Sequence, residues 1–183
     1  MIEKQRTTPD VYPLSLNALR LACNQSTNRE PVVDYDEPAI RDALQRLSAK
    51  GWVRLASGPS SRAVKYRHLF DEALGLSGAE ISLLTVLMLR GAQTVGELKS
   101  RTERLHRFDS LPEVDETLHG LAGRELVVRL DRRPVQKEER WEHRLGDTTE
   151  RAPPAPVQSS LEERVRALEE QVAELREQVR QSR

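Results

Sequence analysis

The side chains able to make and break bonds are few and scattered. The histidines are His68, His106, His119 and His143, and no two of them stand four apart in the helical ligand spacing. A zinc site needs three or four His, Cys or carboxylate ligands at one point, and the sequence contains no Cys/His cluster. His68 and His143 fall on strand-like stretches and read as surface residues. Cys23 is the lone thiol and falls on the apolar side of a helical stretch, where a small soft side chain fills a core. There is no glycine-rich phosphate loop, no GxSxG turn and no HExxH helix. The adjacent acids Glu138-Glu139 and Glu162-Glu163 fall in a turn and on a charged helix face. The expectation is a chain without catalytic residues, without a metal site and without a cofactor.

What remains is recognition through charge. Between Gly51 and Phe70 stand Arg54, Arg62, Lys65 and Arg67, with no acid among them. A second basic group is Lys99, Arg101 and Arg104, with Arg107 beyond it, diluted by Glu97, Glu103 and Asp109. Cations so placed can neutralise the phosphates of double-stranded DNA. Two stretches argue the other way: Glu37, Arg41, Asp42 and Gln45 on one helical face, and Glu113, Asp115, Glu116 and His119 on another. Lys+Arg and Asp+Glu both number 29, so any nucleic-acid surface must be local. The polar run with Asn24, Gln25, Thr27, Asn28 and Arg29 either meets a partner or bonds its own backbone. A DNA-associated regulator and a protein–protein adaptor both stay open.

The elements that hold these residues are written twice. Pro38 to Val53 and Pro112 to Val127 align without a gap, pairing Ile40 with Val114, Leu44 with Leu118, Leu47 with Leu121 and Val53 with Val127. Tyr66 mirrors Trp141 one residue out of that register. In each copy a helix with one apolar face leads into a short strand, a turn-rich segment and a second strand. A helix followed by a loose-tipped hairpin is the back half of a winged helix. The front half is clearest in the second copy. There Ser77-Gly78-Ala79-Glu80, Thr94-Val95-Gly96-Glu97 and Ser110-Leu111-Pro112-Glu113 are capping boxes opening three helices. In the first copy the middle helix is expected over residues 14–24 and the third over 36–50. Only Met1 to Gln5 precede them where an apolar first helix belongs, so the chain is expected to begin inside that helix.

The fold class expected is mainly α with small β-hairpins (α+β): two tandem winged-helix domains, 1–72 and 73–146, and a C-terminal coiled-coil helix. Only 4% of the 183 residues are aromatic, so the cores must be aliphatic. A Pro-rich linker spans 147–160. Over 161–183, Leu161, Val165, Leu168, Val172, Leu175 and Val179 form a heptad seam with Val at a and Leu at d, the choice that favours a parallel homodimer. No stretch reaches the roughly 18 apolar residues of a membrane span. With a single cysteine as well, the cytoplasm is the expected compartment.

Two segments carry a family resemblance. EKQRTTPDVYPLSLNALRLACNQSTNREPVVDYDE (Glu3 to Glu37) and LMLRGAQTVGELKSRTERLHRFDS (Leu87 to Ser110) resemble the bacterial YceH family of unknown function, in the family's order and spacing. The resemblance covers roughly residues 2 to 145. It implies a tandem winged-helix fold and supplies neither an activity nor catalytic residues. This chain departs from the family pattern in lacking the upstream first helix and in adding the heptad tail.

Overall fold

A computed structural model of the chain describes residues 1–56, 63–131 and 138–146. Its helices are α1 (Ile2–Thr7), α2 (Leu16–Cys23), α3 (Glu37–Ala49), α4 (Phe70–Leu74), α5 (Gly78–Arg90), α6 (Val95–Thr102) and α7 (Leu111–Gly123). Its strands are β1 (Leu14–Ser15), β2 (Val53–Leu55), β3 (Lys65–His68), β4 (Val127–Leu130) and β5 (Arg140–His143). The fold is mixed α+β, with small antiparallel sheets.

Local chemistry sets the helix starts. The Ser77 hydroxyl accepts from Glu80 N–H (3.2 Å) and the Glu80 carboxylate accepts from Ser77 N–H (2.8 Å), the full capping box. Thr94 and Glu97 repeat it at 3.2 and 2.9 Å. The third expected box is only half formed. Ser110 Oγ caps Glu113 N–H at 3.3 Å, but the Glu113 carboxylate reaches past Ser110 to Asp109 N–H at 2.8 Å. Its reach lets it serve an orphan donor one residue earlier. The expected first middle helix is also corrected: it starts at Leu16, capped by Ser15, because Leu14 is taken into a strand against Tyr66. Helix α4, between the two copies, has no counterpart in the sequence reading.

The duplicated template is visible in backbone registers. Val53 lies opposite His68 and Leu55 opposite Tyr66; Val127 lies opposite His143 and Arg129 opposite Trp141. The second hairpin is thus one residue longer between matched positions. Leu14 pairs with Tyr66 just ahead of the Ser15 cap, and Gln93 bridges to Trp141 just ahead of the Thr94 cap. The helix-to-strand turns also match: Trp52 N–H donates to Leu47 O, and Leu126 N–H to Leu121 O. In that turn Gly51 (φ +72) and Glu125 (φ +57) hold the same left-handed conformation.

Each half carries its own apolar cluster. Leu14, Leu19, Ile40, Leu44 and Val53 form the first, with Met1, Tyr12, Cys23, Leu47 and Tyr66 packed around it. The second is larger and centres on α5, whose residues from Ile81 to Leu87 are all buried, together with Leu98, Phe108, Val114, Leu118, Leu121, Val127 and Trp141. Ser82 and Thr85 are tolerated there because their hydroxyls donate back to Gly78 O (2.7 Å) and Ile81 O (2.6 Å). Ile2 and Trp52 reach from the first half onto the second cluster, and Trp52 meets Phe70 edge to face at 5.0 Å. Met1–Leu145 is one compact unit. The linker and the heptad seam (Leu161, Val165, Leu168, Val172, Leu175, Val179) lie outside the described residues.

His68 corrects the surface reading. Its residue is 3% exposed, its backbone N–H donates to the Tyr12 hydroxyl (2.8 Å), and its Nε2 lies 2.6 Å from Gln5 Oε1. Strand alternation turns it inward beside Val53, and Gln5 supplies the polar partner that burial demands. His143, its counterpart, is half-buried.

Candidate functional site

The two helices that lead into the hairpins present similar outer faces. Asp36 caps α3 by accepting from Ala39 N–H (2.9 Å), and Ile40 and Leu44 turn inward. This leaves Glu37, Arg41, Asp42, Gln45 and Arg46 exposed. Both arginines are matched within the helix, Arg41 to Glu37 (2.6 Å) and Arg46 to Asp42 (2.8 Å). On α7 the inward residues are Val114, Leu118 and Leu121. The other side carries Asp115, Glu116 and His119, with His119 Nδ1 3.5 Å from the Asp115 carboxylate and its ring edge-on to Trp141 at 5.2 Å. Acids in the first turns suit the helix dipole and give these faces no positive excess.

The expected basic set is split among elements. Arg54 on β2 is exposed and lies opposite Arg67 on β3. Arg67 ion-pairs with Glu72 of α4, an acid beyond the stretch that reads as acid-free. Lys65 is half-buried opposite Ser15, and Arg62 lies outside the described residues. Lys99 and Arg101 sit on α6, with Arg104 just past its end. Arg101 and Arg104 are brought together with Arg90, the last residue of α5, on one cleft. Arg90 belongs to none of the basic groups read from the sequence. It sits in an apolar helix, and only the fold brings it beside α6.

The polar run after α2 is tied down by its own side chains. Asn24 accepts from Tyr35 N–H (2.9 Å) and donates to Tyr35 O (2.8 Å). Gln25 donates to Thr27 O (2.7 Å). Arg29 donates to Ala22 O and to Glu3 Oε2, both at 2.7 Å, in an ion pair whose side chains are 8% and 13% exposed. Asn28, at φ +59, accepts from Arg90, and Glu30 N–H donates to Leu89 O. These bonds tie the run both to its own backbone and to α1 and the end of α5.

Burial holds the His68 and His143 imidazoles below their ordinary range, with the Asp71 carboxylate partly opposing this at His68. Among the described residues no group of three or more His, Cys, Asp or Glu is placed to hold a metal ion. No helix among them is long and apolar enough to cross a membrane.

Relatives put this geometry in a family context. Residues 1–136 match the family model described as a protein of unknown function, DUF480. A UPF0502 protein of Serratia proteamaculans (strain 568) is 46% identical over 160 residues, covering 84% of this chain and 75% of the relative. Another from Dechloromonas aromatica (strain RCB) is 50% identical over 149 residues, covering 80% and 69%. A UPF0502 protein of Opitutus terrae is 46% identical over 171 residues, covering 88% and 74%. None of these names carries an activity. With a model matched over most of its length and relatives this similar, the chain belongs to the DUF480 family of proteins of unknown function, the UPF0502 or YceH proteins that its sequence resembles.

Proposed function

We propose that the chain is a non-catalytic binding module of two tandem winged-helix units, 1–72 and 73–146, that engages another protein. The unit assignment is supported by the helix, strand-or-bridge, helix, helix, hairpin order found in both halves, with matched registers. The protein reading rests on one observation: the outer faces of α3 and α7 carry acids, and both arginines of the α3 face are held in ion pairs. DNA-reading winged helices insert the corresponding helix into the major groove, where unpaired carboxylates are repelled and arginines already held by carboxylates neutralise little. A protein surface with its own cations tolerates both. The heptad tail is proposed to pair two copies, so that one assembly offers each face twice.

The test is a titration of random duplex DNA at about 50 and about 200 mM salt. The expected result is no saturable binding at the lower salt, alongside a specific protein partner captured from the source cells and lost by the Glu113→Lys/Glu116→Lys variant. Saturable DNA binding that weakens steeply with salt overturns this reading. A DNA-associated regulator is kept as the second reading by Arg54, which is exposed and makes no ion pair among the described residues. Under that reading, Arg54→Ala and Lys65→Ala weaken DNA binding. Removing the residues after Ser160 is expected to turn a dimer into a monomer in sedimentation, and an unchanged mass removes the pairing proposal.

A further inference from the structure

We propose that a cleft between α1, the loop after α2, the end of α5 and α6 binds a small tetrahedral oxyanion, inorganic phosphate or the phosphate group of a monoester. The site goes beyond the protein-binding reading and does not depend on it.

The cleft measures about 70 Å³, and its polar lining is Glu3, Thr7, Asn28, Arg90, Arg101 and Arg104. That is far below the several hundred Å³ of a typical pocket for a larger organic ligand, and it suits a single anionic group. Three guanidinium groups face one carboxylate, and that carboxylate is already taken: Glu3 Oε2 holds Arg29 at 2.7 Å. Arg90 donates to the neutral side-chain oxygen of Asn28, so its charge is held in position without being cancelled. Arg101 is only loosely paired with Glu97, at 3.6 Å, and that carboxylate also serves Arg140 at 3.1 Å and Thr94 N–H at 2.9 Å. Arg104 is exposed and has no ion pair among the described residues.

The Arg101 guanidinium is also incompletely bonded. Arg101 Nη1 is buried and has no hydrogen-bond partner among the described residues. Buried polar groups are almost always bonded, and a charged donor without an acceptor is costly. An anion in the cleft answers the excess charge and attracts the poorly paired Arg101 guanidinium as a whole, although Nη1 itself is sealed from solvent. Arginine forks match oxyanions in bidentate geometry. A carboxylate offers two oxygens and one charge, which leaves one of three guanidinium groups without a partner; phosphate offers more of both. Because Glu3, Thr7 and Asn28 come from the first half and the arginines from the second, the ligand also ties the halves together.

The test titrates inorganic phosphate into the full chain in a phosphate-free buffer at constant ionic strength, so that general screening does not change. Binding is followed by arginine Nε–H resonances and by the melting temperature. The expected result is saturable shifts centred on Arg90 and Arg101 with a rise in melting temperature. Arg104→Ala, at an exposed position, should weaken binding at least tenfold, Arg104→Lys should fall between, and Arg129→Ala, outside the cleft, should change nothing. Glycerol phosphate binding at least as tightly assigns the site to a monoester; phosphate binding alone assigns it to the free ion. Either supports the proposal. Shifts that never saturate, acetate binding as well as phosphate, or Arg129→Ala weakening binding as much as Arg104→Ala would overturn it.

Discussion

The two halves share a template and differ in how they fill it. Among the described residues the first cluster has five buried apolar members and the second thirteen. The positions common to both, Ile40/Val114, Leu44/Leu118 and Val53/Val127, are buried in each half. The difference lies in the leading helix. In the second half α5 runs through the centre, buried from Ile81 to Leu87. In the first half the leading helix is α1, six residues with none fully buried, held against the loop by the Glu3–Arg29 ion pair. A buried ion pair contributes little net stability because desolvation offsets its attraction. The first half therefore rests on a smaller apolar interior, and its leading helix borrows from the second cluster through Ile2.

The largest expected effect tests this inequality at matched positions. Leu118 is 0% exposed and sits in the larger cluster; Leu44 is 6% exposed and sits in the smaller one. Leucine-to-alanine changes in cores cost about 2–5 kcal/mol, more where the surroundings cannot relax into the cavity. Leu118→Ala is expected near the upper end and Leu44→Ala near the lower, measured by urea unfolding of each variant. Equal losses, or a larger loss at Leu44, would mean that the two interiors are packed alike despite their different sizes.

Much of this was readable before any coordinates. The offset pairing of Ile40 with Val114 through Val53 with Val127 already places those side chains in equivalent interiors, because helical and strand periods are short-range signals. The Ser77 and Thr94 boxes mark their helices for the same reason. Leu14 misled because a two-residue strand has no period of its own and is defined by Tyr66, far along the chain. His68 was misplaced by residue type, although alternation from Tyr66 along β3 turns both to one side. The arginine cleft was illegible as a unit: Arg101 and Arg104 are visible as local basic residues, but Arg90, Glu3 and Asn28 join them only through tertiary packing. The leading helix of the second half was likewise legible from its apolar length, whereas α1 shows its role only in what it packs against.

A smaller effect sharpens the comparison at the turn leaving α3 and α7. Gly51 and Glu125 both have positive φ, a conformation that costs a side-chain-bearing residue about 1–2 kcal/mol and glycine almost nothing. No atom lies within 4 Å of where a Cβ would sit on Gly51, so the cost of a substitution there is conformational rather than steric. Gly51→Ala is expected to lose about 1 kcal/mol, and Glu125→Gly to gain somewhat less, because glycine also loosens the unfolded chain. Thermal unfolding of the pair reads both signs. Two changes of the same sign would mean that the turns are not equivalent.

The smallest effect concerns acid. His68 and His143 occupy matched strand positions, and burial lowers the proton affinity of both in the folded chain. The unfolded chain therefore binds more protons than the folded one as pH falls below the ordinary histidine value of about 6.5, and the slope of stability with pH is positive there. Their contribution is fully present above that value, declines as pH falls, and levels off below the folded-state values. The halves differ in the charges around the ring: at His68, Asp71, whose carboxylate is 3.4 Å from Nδ1, favours the protonated form while the N-terminal amine, Arg67 and Arg6 oppose it, whereas at His143 burial acts alone. Removing that carboxylate with Asp71→Asn lowers the His68 value further. The variant should lose melting temperature more steeply than the parent between about pH 7 and pH 5.5, whatever its stability at neutral pH. A parallel or shallower profile would show that Asp71 does not set the titration of the first half, and would leave the two histidines alike in their response to acid.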